Sequence, residues 1–445
     1  MNYCILFLLI LIQLTSSLQL AAQEKWTLND CINYALKNNL QLLNADMDKQ
    51  LAEVSYRQSK WNRLPAIGAG SDAGKNYGRS VDPNTNGIIN TSFFNNSYYL
   101  GTSVDLFRGF MYENQIRYNK FKKEATENKR INAADDLAFS VMNAFFNVIY
   151  FEELLKIANE QKALSELNVK KIDILVSTGL KSYADFLEVK ANYEKEELFR
   201  IQTANNIATS WISLKKALNL PPERQIVLVL PETEDVFSGI GANIQELFEQ
   251  HTFRSPYIRS FEGEWQASQK NVSINRARFS PSIRLQASYN TGYYETNKDA
   301  NDKIIAFSDQ INNNQRQFLG ATLTIPLFNK NSVRFDVQSA KIGAEQAQTR
   351  LTIARQTLLY EMEGNYNELT ASGKELQQSE KQMEADKLAF QAAQKKFDQG
   401  MINAIEMYTT KNRLANTTTQ VLHAKLTYAV KKRILEFYKG SRFWE

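Results

Sequence analysis

The chain of 445 residues repeats itself at a fixed offset, and that duplication limits what it can fold into more than any other feature. Leu106-Phe107 recurs as Leu327-Phe328, and Gly179 recurs as Gly400, each 221 positions later. The stretch from Phe107 to Gly179 therefore matches Phe328 to Gly400 without a gap. Upstream, Asn38-Asn39-Leu40 leads to Leu64-Pro65-Ala66-Ile67, as Arg254-Ser255-Pro256 leads to Ser280-Pro281-Ser282-Ile283. A unit of about 200 residues is too long for a solenoid repeat. It is one structural module present twice.

Each module predicts the same order of elements: helix, two strands, very long helix, helix. In the first, spanning 23–220, these are a helix over 26–61, strands over 65–79 and 95–107, a long helix over 112–177 and a helix over 183–218. In the second, spanning 243–440, they are a helix over 243–278, strands over 281–295 and 315–327, a long helix over 331–397 and a helix over 404–438. Residues 221–242 form a linker with a short strand-like run, Ile226 to Leu230. Pro65 and Pro281 mark where the first helix of each module must stop, and Asp82-Pro83-Asn84 with Asn86-Gly87 supplies turn chemistry.

The strands alternate. Ile283, Leu285, Ala287 and Tyr289 share one face, with Arg284, Gln286, Ser288 and Asn290 on the other; Leu319, Ala321 and Leu323 oppose Gly320, Thr322 and Thr324 in the same way. One apolar and one polar face over about ten residues suits a transmembrane barrel strand, although a half-buried strand of a soluble sandwich has the same pattern. Aromatic pairs Phe93-Phe94, Tyr98-Tyr99 and Tyr293-Tyr294 sit near strand ends, as interfacial girdle residues do. In the second long helix Val333, Val337, Ala340, Ala344, Ala347, Leu351, Ala354 and Leu358 recur at alternating steps of four and three, which is coiled-coil spacing.

Composition removes several function classes. A net charge of +5 without a basic cluster gives nucleic-acid binding no electrostatic support. Ile5 to Leu14 is almost unbroken apolar sequence, followed by Leu20-Ala21-Ala22-Gln23, so residues 1–22 are expected to be a secretory signal. No Lys or Arg precedes the apolar run, and an N-terminal anchor helix is the alternative. With that segment and Cys4 removed, Cys31 stands alone, so an intrachain disulfide and a cysteine metal cluster are both excluded. His251 and His423 lack ligand-spaced partners, and no phosphate loop or nucleophile elbow occurs. The carboxylates of Glu152-Glu153 and of the run from Glu194 to Glu197 lie among lysines on helix faces. The chain is expected to be a non-enzyme with no cofactor and no bound metal.

Four strands per chain cannot close a barrel, so transmembrane strands require several chains, and three would give 12. On the duplicated order, the Asn-Asn-Leu and Ser-Pro turns, Leu106-Phe107, Pro326-Leu327-Phe328 and the glycine at each helix turn, the chain resembles the TolC-like outer-membrane efflux proteins over nearly its whole mature length. The resemblance implies a mainly α fold with transmembrane β: a homotrimeric 12-stranded barrel continued by a long periplasmic α-helical barrel. It further implies an exit duct in outer-membrane lipid, joined through a periplasmic adaptor protein to an inner-membrane pump. A soluble periplasmic coiled-coil scaffold is the alternative reading, and a secreted enzyme a third.

Two sets of site residues follow. Thr178-Gly179-Leu180 and Gln399-Gly400-Met401 are the expected adaptor-docking turns, because a glycine accepts the positive φ that ends a helix. Asp185 and Glu406 each stand six residues after a glycine, early in the following helix, where a carboxylate favours the positive helix end. The resemblance adds a second role, since the family's closed entrance is lined by acids and Glu406 matches the first of them. The second acid of that pattern falls on Thr409, and side chains that lock the entrance fall on Phe397 and Asn403, so the lock must differ here. Glu406 is expected to line the pore and Asp185 to support helix packing.

Overall fold

The computed structural model describes residues 24–81, 86–90, 92–229 and 244–444. The expected signal segment, the Asp82-Pro83-Asn84 turn and most of the linker lie outside them. In chain order the elements are β1 (Glu24–Trp26), α1 (Leu28–Asn38), α2 (Leu40–Trp61), β2 (Ala66–Asn76), β3 (Arg79–Val81), β4 (Ile88–Asn90), β5 (Phe93–Arg108), α3 (Met111–Ser177) and α4 (Tyr183–Leu218). There follow β6 (Ile226–Leu228), α5 (Ile244–Arg254), α6 (Pro256–Ala277), β7 (Ser282–Tyr294), α7 (Phe307–Asn313), β8 (Arg316–Thr324), α8 (Ser332–Asp398) and α9 (Ala404–Tyr438). The chain forms two compact units. One draws on described residues up to 46, 129–256 and 355–444, the other on 47–128 and 257–354.

Both first helices depart from expectation in the same way: each is broken. The helix expected over 26–61 begins with Trp26 in a strand and is divided at Asn39, which is extended at φ −73, ψ 126. Asn39 ends α1 by donating its backbone N–H to Ala35 and starts α2 by accepting from the N–H groups of Gln41 and Leu42 at 2.8 and 3.3 Å. Its amide also donates to the Ala217 carbonyl at 3.0 Å. In the second module Ser255 divides the helix expected over 243–278, with Pro256 at the first position of α6, where its missing N–H costs nothing. The linker strand β6 pairs in parallel with β1 through Glu24↔Ile226, Lys25↔Val227 and Trp26↔Leu228. Around this small sheet lies the main core of the first unit, in which Cys31, Ile32, Val141, Met142, Phe145, Leu214 and Leu218 are fully buried. Burial pushes the Cys31 thiol up to about 12, leaving it an inert packing residue.

The second unit holds one antiparallel sheet in the order β2-β5-β7-β8. Its register puts Ile283 opposite Leu323, Leu285 opposite Ala321 and Ala287 opposite Leu319, so the apolar face seen in the sequence is continuous across strands. β5 extends it with Val104 opposite Leu285 and Thr102 opposite Ala287. A bulge between Asp105 and Phe107 shifts the register, so Leu106 leaves the alternation. β8 ends at Thr324, and Pro326-Leu327-Phe328 lies beyond the strand rather than at its end. A proline cannot donate to the ladder, which explains the earlier stop.

The apolar face is open. Leu319 is 75% exposed, Ile67 75% and Leu323 61%. Among the described residues β2 and β8 each pair on one side only, leaving two unsatisfied edges. On the polar face the Tyr99 ring lies directly over Gly70, where an added Cβ would collide with it. Only a glycine lets the ring lie against the strand. The sequence did not reveal α7, a short helix beyond β7. Gln310, 1% exposed, fastens it by accepting from the Tyr294 N–H and donating to the Tyr294 and Ile305 carbonyls. Phe307 packs on Tyr98 and Tyr293; Tyr98-Tyr99, expected near a strand end, lies within β5, because that strand begins earlier, at Phe93.

The long helices run 67 residues each. The coiled-coil seam of α8 is inward-facing throughout: Val333, Ala340, Ala347, Leu351, Ala354 and Leu358 are buried, and Val337 and Ala344 half-buried.

Candidate functional site

Two helix hairpins, α3–α4 and α8–α9, end in near-identical turns. Gly179 and Gly400 both have φ +75. The Leu180 N–H donates to Leu175 and that of Gly179 to Val176; Met401 donates to Lys396 and Gly400 to Phe397. That crossed pair of bonds is the Schellman arrangement, which satisfies carbonyls a helix end leaves without partners. Among the described residues nothing lies within 4 Å of a Cβ built on either glycine. Leu180 and Met401 beside them are 70% and 69% exposed. The six expected docking residues therefore form two bare, apolar-flanked turns.

The two acids after the turns differ. Asp185 closes a capping box: its carboxylate accepts from the Ser182 N–H at 3.2 Å and the Ser182 hydroxyl at 2.8 Å, while its own N–H donates to the Ser182 hydroxyl. Glu406 gives only its backbone N–H to its cap, Asn403, at 2.9 Å. Its side chain is exposed, with no ion pair among the described residues. Asn403 is thus a helix cap, and Phe397, 4% exposed, is a core residue with Ile172, Val189, Ala404, Met407 and Tyr408. Thr409 donates to the Ile405 carbonyl in its own helix. The hairpins are also joined by Lys171 and Asp398 at 2.6 Å.

Sequence reasoning missed a buried polar node close to the turns. Lys411 on α9 is wholly buried, and its ammonium donates to the Gln161 carbonyl at 3.0 Å, the Ser165 hydroxyl at 2.6 Å and Glu196 at 2.7 Å. All three N–H donors are used, binding α9 to both α3 and α4. Burial lowers the Lys411 pKa, and Glu196 opposes that shift. The second oxygen of Glu196, the side-chain oxygen of Gln161, the Asn168 amide nitrogen and the Tyr408 hydroxyl are buried there without completing a hydrogen bond. A second node lies on the other hairpin. Asp386 accepts from Arg413 at 2.6 Å and the Thr417 hydroxyl at 2.7 Å, and these bonds, the Thr417 bond foremost, hold its pKa below the usual 3.8. That carboxylate adds stability above its ordinary pKa and loses it as acid protonates it below. One signal could have found the first node: a lysine stands eleven residues after each glycine, at Lys190 and Lys411.

Among the described residues no group of three or more His, Cys, Asp or Glu is placed to hold a metal ion. His251 is packed against Phe437 and Tyr438, and burial lowers its pKa; His423 meets the Tyr150 ring. Glu152 accepts from the Trp211 indole, Glu153 pairs with Lys156, and Glu197 pairs with Arg200 and Lys162. Among the described residues no helix is long and apolar enough to cross a membrane.

Comparison with known proteins places the arrangement. A family model described as "Outer membrane efflux protein" matches residues 31–220 and 247–441, one match to each module. The outer membrane protein TolC of Vibrio cholerae serotype O1 is 20% identical over 404 residues, covering 90% of this chain and 87% of that protein. TolC of Salmonella enteritidis is 19% identical, with 91% and 80% covered. Among solved structures, the outer membrane protein VceC of Vibrio cholerae superposes with a TM-score of 0.80 at 15% identity, over 93% of this chain and 96% of that one. The open state of the MtrE channel of Neisseria gonorrhoeae gives 0.75 at 20% identity, over 93% and 88%. Family and fold are those of channel proteins.

Proposed function

The chain belongs to the outer membrane efflux protein family, and from that premise we propose how it works as a channel. It is an outer-membrane exit duct for efflux. Three copies close a 12-stranded barrel from four strands each, and the helix hairpins line a periplasmic conduit. A periplasmic adaptor docks on the turns at Gly179 and Gly400 and couples the duct to an inner-membrane pump. Transport through it is passive, and the chain does no covalent chemistry. The observation that carries this reading is the sheet: among the described residues its apolar face is uncovered and both its edges lack partners. In lipid an open edge is untenable, whereas a closed barrel satisfies every backbone group and gives the apolar face a solvent. A soluble scaffold would have to hide that face.

Native mass measurement of the detergent-extracted outer-membrane protein tests this, with three chains per particle expected. A stable monomer with folded strands would favour the scaffold reading. The faces give a sharper check. Leu323→Arg puts a charge toward lipid and is expected to cost roughly 2–4 kcal/mol near the midplane, while its polar-face neighbour Thr322→Arg is expected to be tolerated. Equal yields of folded trimer from both variants would overturn the face assignment.

Glu406 is the residue for the entrance. Its carboxylate is exposed and uncommitted, while that of Asp185 is held in a capping box. Three copies around a narrow axis would attract cations and repel anions, with Asp185 supporting the packing around them. Glu406→Gln is expected to lower cation selectivity and weaken block by multivalent cations in single-channel recordings, with trimer stability unchanged. Unaltered selectivity and block would move the gate elsewhere.

A further inference from the structure

The internal duplication carries a contact that a single chain does not contain. By the shift of 221, Lys190 on α4 corresponds to Lys411 on α9, Ser165 to Asp386, Glu196 to Thr417 and Gln161 to Gln382. Lys411 is buried in a recess built by Gln161, Ser165 and Glu196. The corresponding recess, built by Gln382, Asp386 and Thr417, lies on α8 and α9, and no lysine occupies it among the described residues. Lys190 in turn is exposed and has no hydrogen-bond or ion-pair partner among the described residues.

The helix faces repeat the same asymmetry. Ala404, Tyr408 and Lys411 form a buried stripe on α9, at 2%, 2% and 0% exposure. Their counterparts on α4 are Tyr183, Leu187 and Lys190, and the first two are 64% and 49% exposed. Four- and three-residue steps put each trio on one helix face. A stripe with the same spacing is covered in one module and bare in the other.

The chemistry of the two recesses is complementary in a telling way. In the first, the long helix gives the hydroxyl of Ser165 and the following helix the carboxylate of Glu196. In the second the roles are exchanged, with the carboxylate of Asp386 on the long helix and the hydroxyl of Thr417 on the next. Each recess thus keeps one carboxylate and one hydroxyl, the set that satisfies a buried ammonium. Asp386 has room for a further donor. A carboxylate offers about four acceptor positions; Arg413 and Thr417 take two of them and Gln382 a third. The Arg413 side chain is half exposed, so the recess is capped by a surface side chain, while Asp386 and Thr417 beneath it are 6% and 1% exposed.

We propose that Lys190 of one copy enters the recess of Asp386 and Thr417 of the partner subunit, repeating between subunits the bridge that Lys411 makes within one. The partner is a second copy of this chain, because only a copy carries the Tyr183-Leu187-Lys190 stripe at the matching spacing. The proposal rests on the trimeric reading and adds the pair of residues that joins neighbouring subunits near the hairpin turns. It also explains why a lysine stands at the same place in both modules although only one is buried in the single chain.

Cross-linking tests it in full-length protein in outer-membrane fractions. In a Cys31→Ser background, Lys190→Cys combined with Asp386→Cys is treated with a short bismaleimide and run on a denaturing gel, with native mass measured in parallel. Covalent dimers and trimers are expected from the double variant and not from either single one. Should Asp386→Cys lower the yield, Lys190→Cys with Gln382→Cys reads the same contact one turn away. Native trimers that run as unlinked or internally linked monomers overturn the pairing and leave the channel reading intact. Native monomers overturn both.

Discussion

Replacing Gly400 with tryptophan is expected to abolish export while leaving trimers in the outer membrane. The backbone there is left-handed, at φ +75, so any other residue carries strain of order 1–3 kcal/mol. That strain is confined to a turn where no neighbour among the described residues lies within 4 Å of the new Cβ. What the indole meets is whatever docks on the turn. Gly400→Ala separates the two effects, since it bears the same strain with almost no bulk and is expected to export at close to the normal rate. Export is read as pump-dependent loss of a fluorescent cargo from cells, and assembly as trimer content of the membrane. Normal export by the tryptophan variant would exclude this turn as a contact site. Equal loss in both variants would assign the defect to the turn's geometry rather than to docking.

Lys411→Met is expected to loosen the packing of α9 on α3 and α4 by roughly 3–5 kcal/mol, the cost of stranding one partner of a buried ion pair. Methionine keeps the apolar stem, so the loss isolates the charge. Glu196 would remain in the helix packing with both oxygens unsatisfied, one of them already lacking a partner. Removing both charges, in Lys411→Met with Glu196→Gln, is expected to recover much of the loss, because a missing pair costs less than a broken one. Hydrogen exchange measures this directly. Amide protection in residues 160–170 and 404–416 should fall by about two to four orders of magnitude in the single variant. Unchanged protection would mean that the node is hydrated enough to do without its cation.

The sequence carried much of this architecture because its rules are local. Glycine at 179 and 400, a cap residue three positions later and an uninterrupted helical period placed α4 and α9 at Tyr183–Leu218 and Ala404–Tyr438, the bounds the residues themselves predict. Alternation of side chains placed the strand faces, and pairing of Ile283 with Leu323 then made them continuous. Two of the departures depend on partners far along the chain. Asn39 and its neighbours read as one helix until its amide finds the Ala217 carbonyl, 178 residues away. β1 and β6 are too short to be recognised alone and exist because they pair across about 200 residues. α7, by contrast, is fastened over short separations, by buried Gln310 to β7 and its own loop and by Thr291 donating to the Ile311 carbonyl.

The candidate site divides along the same line. The turns and their caps were legible, because each is a few consecutive residues satisfying their own backbone. The buried node was not, because Lys411 reaches Ser165 across 246 positions and Glu196 across 215. A lysine on a helix is ordinarily a solvated surface residue, and nothing local distinguishes Lys411 from Lys190. Duplication determined that the same side chain appears at the same place twice. Only the packing of three helices decided that one of the two would be buried, since an ammonium leaves water only where carbonyl, hydroxyl and carboxylate already converge.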